Sequence, residues 1–244
     1  MHTDERTWFS PALGHDMTLK VYGHDGRPIV AFPSQDGRWW DFEGWGMIEA
    51  CAGLIDAGRA RFIAVDGIDW QSWTNHAISP QDRARRHDAY DRYLADEVAP
   101  FSRELSGWER GWATGASMGG YHAANLVFRH PDQFDGLVAL SGLYQLGLFV
   151  GDDASEEVYF HSPLRYLPNL EDPWYLDRLR AARLAFVCGR GAYEDAMLED
   201  TRAIRDVLAA KGIPAIVDEW GDDVHHDWVW WRRMLPHYLE RLGV

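Results

Sequence analysis

The sequence has little positive charge and few cysteines, and these shortages exclude several classes of protein. It contains 24 Lys and Arg against 38 Asp and Glu in 244 residues, a formal net charge of −14. Binding to nucleic acid or to anionic lipid requires clusters of basic side chains, so we expect neither partner. The two cysteines, Cys51 and Cys188, have no CxxC spacing, and we expect buried thiols rather than a disulfide.

Long apolar segments are also missing. No run approaches the roughly 18 apolar residues that a membrane-spanning helix needs, and residues 1–6 contain neither an apolar leader core nor a cleavage site of small residues. We therefore expect a cytoplasmic protein with no membrane partner. Glycine-rich phosphate-binding motifs and the H-E-x-x-H zinc motif are absent too, so the sequence predicts no cofactor and no metal.

The sequence does contain two alternating hydrophobic periods, which predict strands that alternate with helices. The strand-like runs are residues 17–22, 28–32, 61–65, 111–114, 136–141, 184–188 and 215–219. The helical stretches are residues 46–57, 81–104, 119–129, 197–210 and 228–242. Parallel strands need such crossover connections. The pattern therefore predicts a single α/β domain over residues 1–244, with a mostly parallel sheet and helices on both faces.

Two segments depart from this alternation. Residues 23–26, Gly-His-Asp-Gly, predict a turn that makes an antiparallel hairpin of the first two strand-like runs. Residues 143–180 contain three prolines and scattered aromatic side chains without a sustained period. Because loops of this length are often lids or binding loops, we expect residues 143–180 to shape a substrate cleft.

The chemistry centres on Gly-Ala-Ser-Met-Gly at residues 115–119, which lies between a strand-like run and a helical stretch. This is the context of a nucleophile elbow, in which a sharp turn presents a serine at the start of a helix. We expect Ser117 to be the nucleophile and the Met118 N–H to stabilise an oxyanion. A second oxyanion donor should follow the strand that ends at residue 32, and the backbone N–H of Ser34 or Gln35 is the candidate.

A serine nucleophile needs a histidine base and a carboxylate that orients the base. In this chain order the base should follow the last strand, where His226 is preferred and His225 is the alternative. The carboxylate should follow the strand-like run 184–188: Glu194 is the first candidate, Asp195 the second and Glu199 the third. A metal site over residues 222–227 is a rival hypothesis, but it leaves Ser117 unexplained.

The remaining histidines and the tryptophans are less specific signals. His122 and His130 belong to the helix after Ser117 and His87 to a predicted surface helix, so we assign them no role. Tryptophan is abundant, with 13 residues that often occur in clusters, and some of these should line a pocket. The expected substrate-binding side chains are Trp39, Trp40, Trp70 and Trp73.

Residues 115–120, 187–191 and 226–231 resemble segments of the esterase D and antigen 85 branch of the α/β-hydrolases, and the likeness spans nearly the whole chain. Residues 226–231 are similar to an H-x-W-x-x-W signature of that family, which favours His226 over His225. The resemblance implies an α/β-hydrolase fold with a lid-like insertion, residues 143–180, after its sixth strand. It also implies Ser117 as nucleophile, His226 as base and Glu194 as acid. One departure is that Pro33-Ser34 replaces the family's usual His-Gly.

Together these features predict a serine carboxylester hydrolase that forms an acyl-enzyme with a small acyl ester, such as an ester of a sugar or a phenol. Its only expected partner is a small-molecule ester. Two alternatives stay open: an acyltransferase that uses the same acyl-enzyme, and an α/β-hydrolase scaffold that binds without catalysis. Nothing in the sequence indicates an oligomeric state.

Overall fold

The computed structural model describes residues 1–244 and contains one sheet of eight strands. The strands are β1 (Thr3–Ser10), β2 (His15–Tyr22), β3 (Arg27–Phe32), β4 (Ala60–Val65), β5 (Gly111–Ala116), β6 (Phe134–Leu140), β7 (Arg183–Cys188) and β8 (Ile216–Glu219). Their order across the sheet is β1-β2-β4-β3-β5-β6-β7-β8. From β4 to β8 all neighbours are parallel, so the sheet is mostly parallel, as predicted.

The central strands are apolar along their whole length because both of their faces are covered. In β3, Ile29 and Ala31 face one core cluster while Val30 and Phe32 face the other. The alternation of side chains along a strand thus divides a continuous apolar run between two helical layers.

The predicted hairpin at residues 23–26 is wrong. β2 pairs antiparallel with β1 on one side and with β4 on the other, whereas β3 pairs with β4 and β5. The strand that does pair with β2, β1, lies at the edge of the sheet and most of its side chains are exposed. It therefore lacks the apolar pattern by which a strand is found in sequence.

Twelve α-helical segments connect or cover the strands. They are α1 (Asp41–Gly44), α2 (Met47–Ala50), α3 (Ala52–Asp56), α4 (Pro80–Tyr93), α5 (Ala99–Ser106), α6 (Met118–Arg129), α7 (Gly147–Val150), α8 (Glu156–Tyr159), α9 (Pro163–Tyr166), α10 (Pro173–Ala181), α11 (Asp195–Ala210) and α12 (Trp228–Leu242). A π-helical turn, Leu94–Val98, joins α4 to α5. None of the helices combines the length and the apolarity that crossing a membrane requires.

The helices form a layer on each face of the sheet, as predicted. Side chains of α4, α6, α10 and α11 pack on one face, and side chains of α1 to α3 and of α12 pack on the other. Both cysteines are buried and free, as expected. Burial raises the pKa of the Cys51 thiol to about 12, so this thiol stays protonated.

Residues 143–180 fold into α7 to α10 and pack on the helical layer that contains α6. Leu167 and Leu179 belong to the large core cluster, and Leu146 and Val158 pack around Tyr121 of α6. These apolar contacts hold the segment on the layer that contains α6. The lid-like behaviour expected of it stays a prediction.

Candidate active site

Ser117 lies in a strained turn between β5 and α6. Its φ of 57° and ψ of −122° fall outside the regions that L-residues favour, and its N–H donates to the Leu140 carbonyl at 2.9 Å. A Cβ at Gly119 would approach the Pro33 carbonyl oxygen to 2.5 Å, and one at Gly115 would approach the Gly119 oxygen to 2.2 Å. Only glycine fits at both places, and Ser117 therefore stands where a nucleophile elbow places its serine.

His226 and Glu194 come together from two separate loops. His226 lies between β8 and α12, and Glu194 lies between β7 and α11. The His226 Nδ1 atom is 3.0 Å from Glu194 Oε2, where the side chains are 15% and 1% exposed. A carboxylate in this position fixes the orientation of the imidazole ring and leaves Nε2 as the nitrogen free to move a proton.

The two loops are joined by backbone contacts. The His226 N–H donates to the Ala192 carbonyl at 3.1 Å, and the Gly191 N–H donates to the Val224 carbonyl at 2.8 Å. A Cβ at Gly189 would come within 2.2 Å of the Val224 oxygen, so a glycine is required for this close approach. The glycines of residues 189–191 thus bring the acid loop against the histidine loop.

Glu194 is surrounded by donors. Ser141 donates its hydroxyl to Oε1 at 2.6 Å and in turn accepts the Trp231 Nε1–H at 3.0 Å, while the Cys188 thiol lies 3.4 Å from Oε2. Burial, reinforced by the nearby Glu194, raises the pKa of Cys188, so the thiol keeps the proton that it donates. Both carboxylate oxygens are occupied, and the Glu194 side chain is therefore locked in place.

The alternative residues occupy different surroundings. His225 is exposed, and its Nδ1 accepts the Ala192 N–H at 3.0 Å. Asp195 and Glu199 are exposed on α11. In the segment 222–227, Asp227 caps α12 by accepting the Val229 N–H. None of these side chains has the buried histidine contact that Glu194 has.

The loop after β3 carries the second predicted oxyanion donor. The Ser34 N–H donates to Asp41 Oδ2 at 2.9 Å, so it is already engaged. The Gln35 N–H has no hydrogen-bond partner, and Gln35 lies in the same pocket as Ser117. Met118 occupies the first position of α6, where helical N–H groups lack partners within the helix. Of the three backbone N–H groups predicted as oxyanion donors, those of Gln35 and Met118 are therefore free and that of Ser34 is not.

Ser117 and His226 open into one pocket of about 410 Å³. The structure contains no hydrogen bond between the Ser117 hydroxyl and His226, a contact that is often long in unliganded enzymes and tightens with substrate. The aromatic part of the wall is formed by Trp45, Trp228 and Trp231. Trp45 and Trp228 stack with their ring centroids 5.6 Å apart and an interplanar angle of 5°.

The tryptophans chosen from the sequence lie elsewhere. Trp39, Trp40 and Trp70 surround the Arg38 guanidinium, at centroid distances of 4.8, 5.1 and 5.3 Å, and do not line the Ser117 pocket. Trp73 is fully buried against His87 and Tyr121, so the expectation that it contacts substrate is wrong. Tryptophan fills cores as readily as clefts, and sequence spacing does not separate the two.

Two further expectations need correction. His87 is not on a surface, because its ring is enclosed by Trp73, His161 and His122. The pocket of Ser117 is lined by no residue of 143–180. The apolar side chains of that segment pack around α6 instead. Besides Ser117, the pocket is lined by Ser34, Gln35, Trp45, His226, Asp227, Trp228 and Trp231.

Comparisons with known proteins agree with this fold. The family model described as Putative esterase matches residues 10–242. A ferulic acid esterase structure superposes with a TM-score of 0.76 at 17% identity, over 99% of this chain and 97% of the other. The serine hydrolase FphF of Staphylococcus aureus, described as fluorophosphonate-binding, gives 0.74 at 16% identity, over 99% and 98%.

A third similar structure is the S-formylglutathione hydrolase FrmB of Staphylococcus aureus, with a TM-score of 0.68 at 17% identity, over 99% of this chain and 96% of the other. At these identities the likeness establishes the fold, and it confirms the predicted α/β-hydrolase architecture. The comparison with curated protein sequences gives no match.

Proposed function

Because the chain belongs to the Putative esterase family and has the α/β-hydrolase fold, it is a serine esterase, and we propose that it works through a triad of Ser117, His226 and Glu194. One observation carries the proposal. The strained Ser117 turn and the buried Glu194–His226 pair come from three different loops and meet at one pocket. A structural role for any one of them would not require the other two.

The chemistry follows from the orientation of each group. Ser117 Oγ attacks the ester carbonyl carbon while His226 Nε2 takes the hydroxyl proton. The N–H groups of Met118 and Gln35 stabilise the oxyanion. His226 then protonates the departing alcohol, which leaves an acyl group on Ser117. Water, deprotonated by His226, attacks this acyl-enzyme, and the proton returns to Ser117 as the carboxylic acid leaves.

The substrate that suits the pocket is a small ester that carries a ring. A volume of about 410 Å³ lies at the lower end of the range for small-molecule sites. The stacked pair Trp45 and Trp228 offers an aromatic face on which a phenolic or sugar ring can lie. The similar structure described as a ferulic acid esterase is consistent with a phenolic ester.

The deciding experiment compares wild type with Ser117→Ala on p-nitrophenyl acetate and p-nitrophenyl butyrate. We expect a burst of nitrophenol, an acyl adduct on Ser117 by mass spectrometry, and the loss of both in the variant. Added alcohols measure the partition between hydrolysis and acyl transfer. If neither ester nor a fluorophosphonate labels the wild type, the noncatalytic scaffold is the better description.

The aromatic part of the proposal has its own test. Trp45→Ala should raise KM for methyl ferulate by about 3-fold to 10-fold, because one contact between aromatic rings contributes a free energy of that size. KM for p-nitrophenyl acetate should change less. Trp40→Ala is the matched control, because Trp40 is exposed to a similar degree but lies outside the pocket. Equal effects of the two substitutions would rule out the Trp45 surface as the ring site.

A further inference from the structure

Consecutive backbone N–H groups in the loop between β3 and α1 have unequal surroundings. The Ser34 N–H donates to Asp41 Oδ2 at 2.9 Å, and the Asp36 N–H donates to Asp69 Oδ2 at 3.2 Å. The Gly37 N–H closes the turn on the Ser34 carbonyl at 2.9 Å. The Gln35 N–H between them has no partner. Two carboxylates therefore occupy the N–H groups that flank the free one.

Asp69 is itself held by a buried histidine. Its second oxygen, Oδ1, is 2.9 Å from His122 Nε2, and the two side chains are 2% and 3% exposed. His122 lies on α6, five positions after Ser117, and its ring packs on Phe32 at the end of β3. The pair thus connects the helix that begins at the nucleophile with the loop that carries Gln35.

The backbone at Asp36 shows why such a connection is needed. Asp36 has a φ of 56°, a left-handed conformation that costs aspartate less than most L-residues but is still unfavourable. A positive φ at the third residue, with the Gly37 N–H closed on Ser34, is the pattern of a type II turn. Two hydrogen bonds hold this turn. Asp69 accepts the Asp36 N–H, and the Thr74 hydroxyl donates to Asp36 Oδ1 at 2.7 Å. Strained backbone persists only where its surroundings hold it in this way.

We propose that Asp69, oriented by His122, is a positioning residue of the oxyanion hole. By accepting the Asp36 N–H it prevents the strained turn from relaxing, and relaxation would rotate the peptide next to Gln35. Asp41 holds the other side of the turn through Ser34. The Gln35 N–H then keeps its place beside Ser117 before substrate arrives. Neither Asp69 nor His122 touches the substrate. The inference depends on the proposed esterase mechanism, in which the Gln35 N–H receives the oxyanion.

The test uses three variants of the full chain. Asp69→Ala removes the acceptor, whereas Asp69→Asn keeps an oxygen for the Asp36 N–H and an amide for His122. Asp91→Ala is the matched control: Asp91 is also buried and also pairs with a histidine, His130, at 2.9 Å, but at the far end of α6. It loses a comparable buried contact and leaves the oxyanion loop intact.

Asp69→Ala should lower kcat for p-nitrophenyl acetate by about 10-fold to 100-fold, less than the loss of a whole oxyanion donor, with KM changed less than about 2-fold because ground-state binding is intact. Affinity for a boronic acid that mimics the tetrahedral intermediate should fall by the same factor. Asp69→Asn should recover most of kcat. Asp91→Ala should lower Tm while kcat stays near that of wild type.

The proposal is overturned if Asp69→Ala keeps its kcat, if its loss appears only in KM, if Asp91→Ala loses kcat equally, or if Asp69→Asn is as slow as Asp69→Ala. Should Asp69→Ala fail to fold, Thr74→Val offers a second route, because it removes only the hydroxyl that braces Asp36. A smaller loss of kcat with the same unchanged KM is expected there, and an unchanged kcat argues against the proposal. A wild type without burst or acyl adduct contradicts the esterase mechanism instead, so the two failures differ.

Discussion

His226 and His122 each pair with a carboxylate at nearly the same distance, and only His226 lines the pocket of Ser117. His226 lies 3.0 Å from Glu194, and His122 lies 2.9 Å from Asp69. The His226 side chain is 15% exposed and lines the pocket of Ser117, whereas that of His122 is 3% exposed and its Nδ1 is buried without a partner. The pairing alone therefore does not make a base, because a base also needs a free nitrogen that opens onto the reacting atoms.

The two carboxylates differ in the same sense. Glu194 accepts hydrogen bonds from the side chains of Ser141 and Cys188 and orients the ring of His226, which has a nitrogen free to move a proton. Asp69 accepts the backbone N–H of Asp36 and thereby links His122 to the loop between β3 and α1. In the proposed mechanism the first pair prepares a side chain for proton transfer, and the second holds the backbone that stabilises charge.

The largest expected difference is between the two histidines. His226→Ala should lower kcat by at least about 10⁴-fold, as the loss of a triad base does. His122→Ala should lower kcat only about 10-fold, because it loosens Asp69 without removing a group that reacts. Steady-state kinetics on p-nitrophenyl butyrate measure both, with circular dichroism as the control for folding. Equal inactivation of two folded variants would mean that the comparison assigns the wrong histidine.

The acid comes next. Glu194→Gln should reduce kcat by about 10³-fold to 10⁴-fold, because an amide stabilises the imidazolium poorly and favours the wrong tautomer. Asp195→Asn, one residue further along the chain and exposed, should stay within about 2-fold of wild type, as surface substitutions usually do. If Asp195→Asn is the more damaging variant, the acid has been assigned one residue too early.

The side chains of the proposed triad could be named as candidates from the sequence, since each has a residue type and a position in the chain order that indicate its chemistry. A serine between glycines, with a strand before it and a helix after it, defines Ser117, and the order of the chain defines where His226 and Glu194 should be sought. The backbone half could not, because an N–H group has no residue type. Ser34 and Gln35 are equal candidates in the sequence, and they differ only in the structure, where Asp41 accepts the Ser34 N–H.

The fold shows the same division. The predicted bounds of α12 match the structure at both ends, since its apolar period is long and Asp227 caps its start. β1 was missed because an exposed edge strand has no apolar period. The single helix predicted over residues 46–57 is divided into α2 and α3 at Cys51, a break that no side chain signals. Which tryptophans reach the pocket depends on tertiary packing alone.

The hydrogen bonds behind Glu194 predict an intermediate effect. Ser141→Ala should lower kcat about 10-fold with KM unchanged, because it removes one hydrogen bond to the Glu194 carboxylate. Trp231→Phe, which removes only the donor to Ser141, should cost about 3-fold. Because Trp231 Nε1 acts through Ser141, the double variant should be no slower than Ser141→Ala. Additive losses in that cycle would show that Trp231 acts on the site independently.

The smallest expected effect concerns the stability of the protein and the buried histidine His87. Burial, and then the neighbouring His161 and His122, hold the pKa of His87 well below 6.5. In the unfolded chain this imidazole binds a proton near pH 6.5 and in the folded protein it does not. The free energy of unfolding therefore loses nothing to His87 above that pH. Below it, the free energy of unfolding declines by up to about 1.4 kcal/mol per pH unit, because the unfolded chain binds a proton that the folded protein does not.

Urea unfolding of wild type and His87→Gln at pH 7.5, 6.5 and 5.5 measures this decline. The variant should lose less stability between pH 6.5 and 5.5 than wild type does, whereas His76→Gln, at an exposed position, should keep the wild-type slope. A residual slope is expected in His87→Gln, because burial also lowers the pKa of His161. Identical slopes in wild type and His87→Gln would mean that His87 takes its proton inside the fold, which burial against Trp73 and Tyr121 opposes.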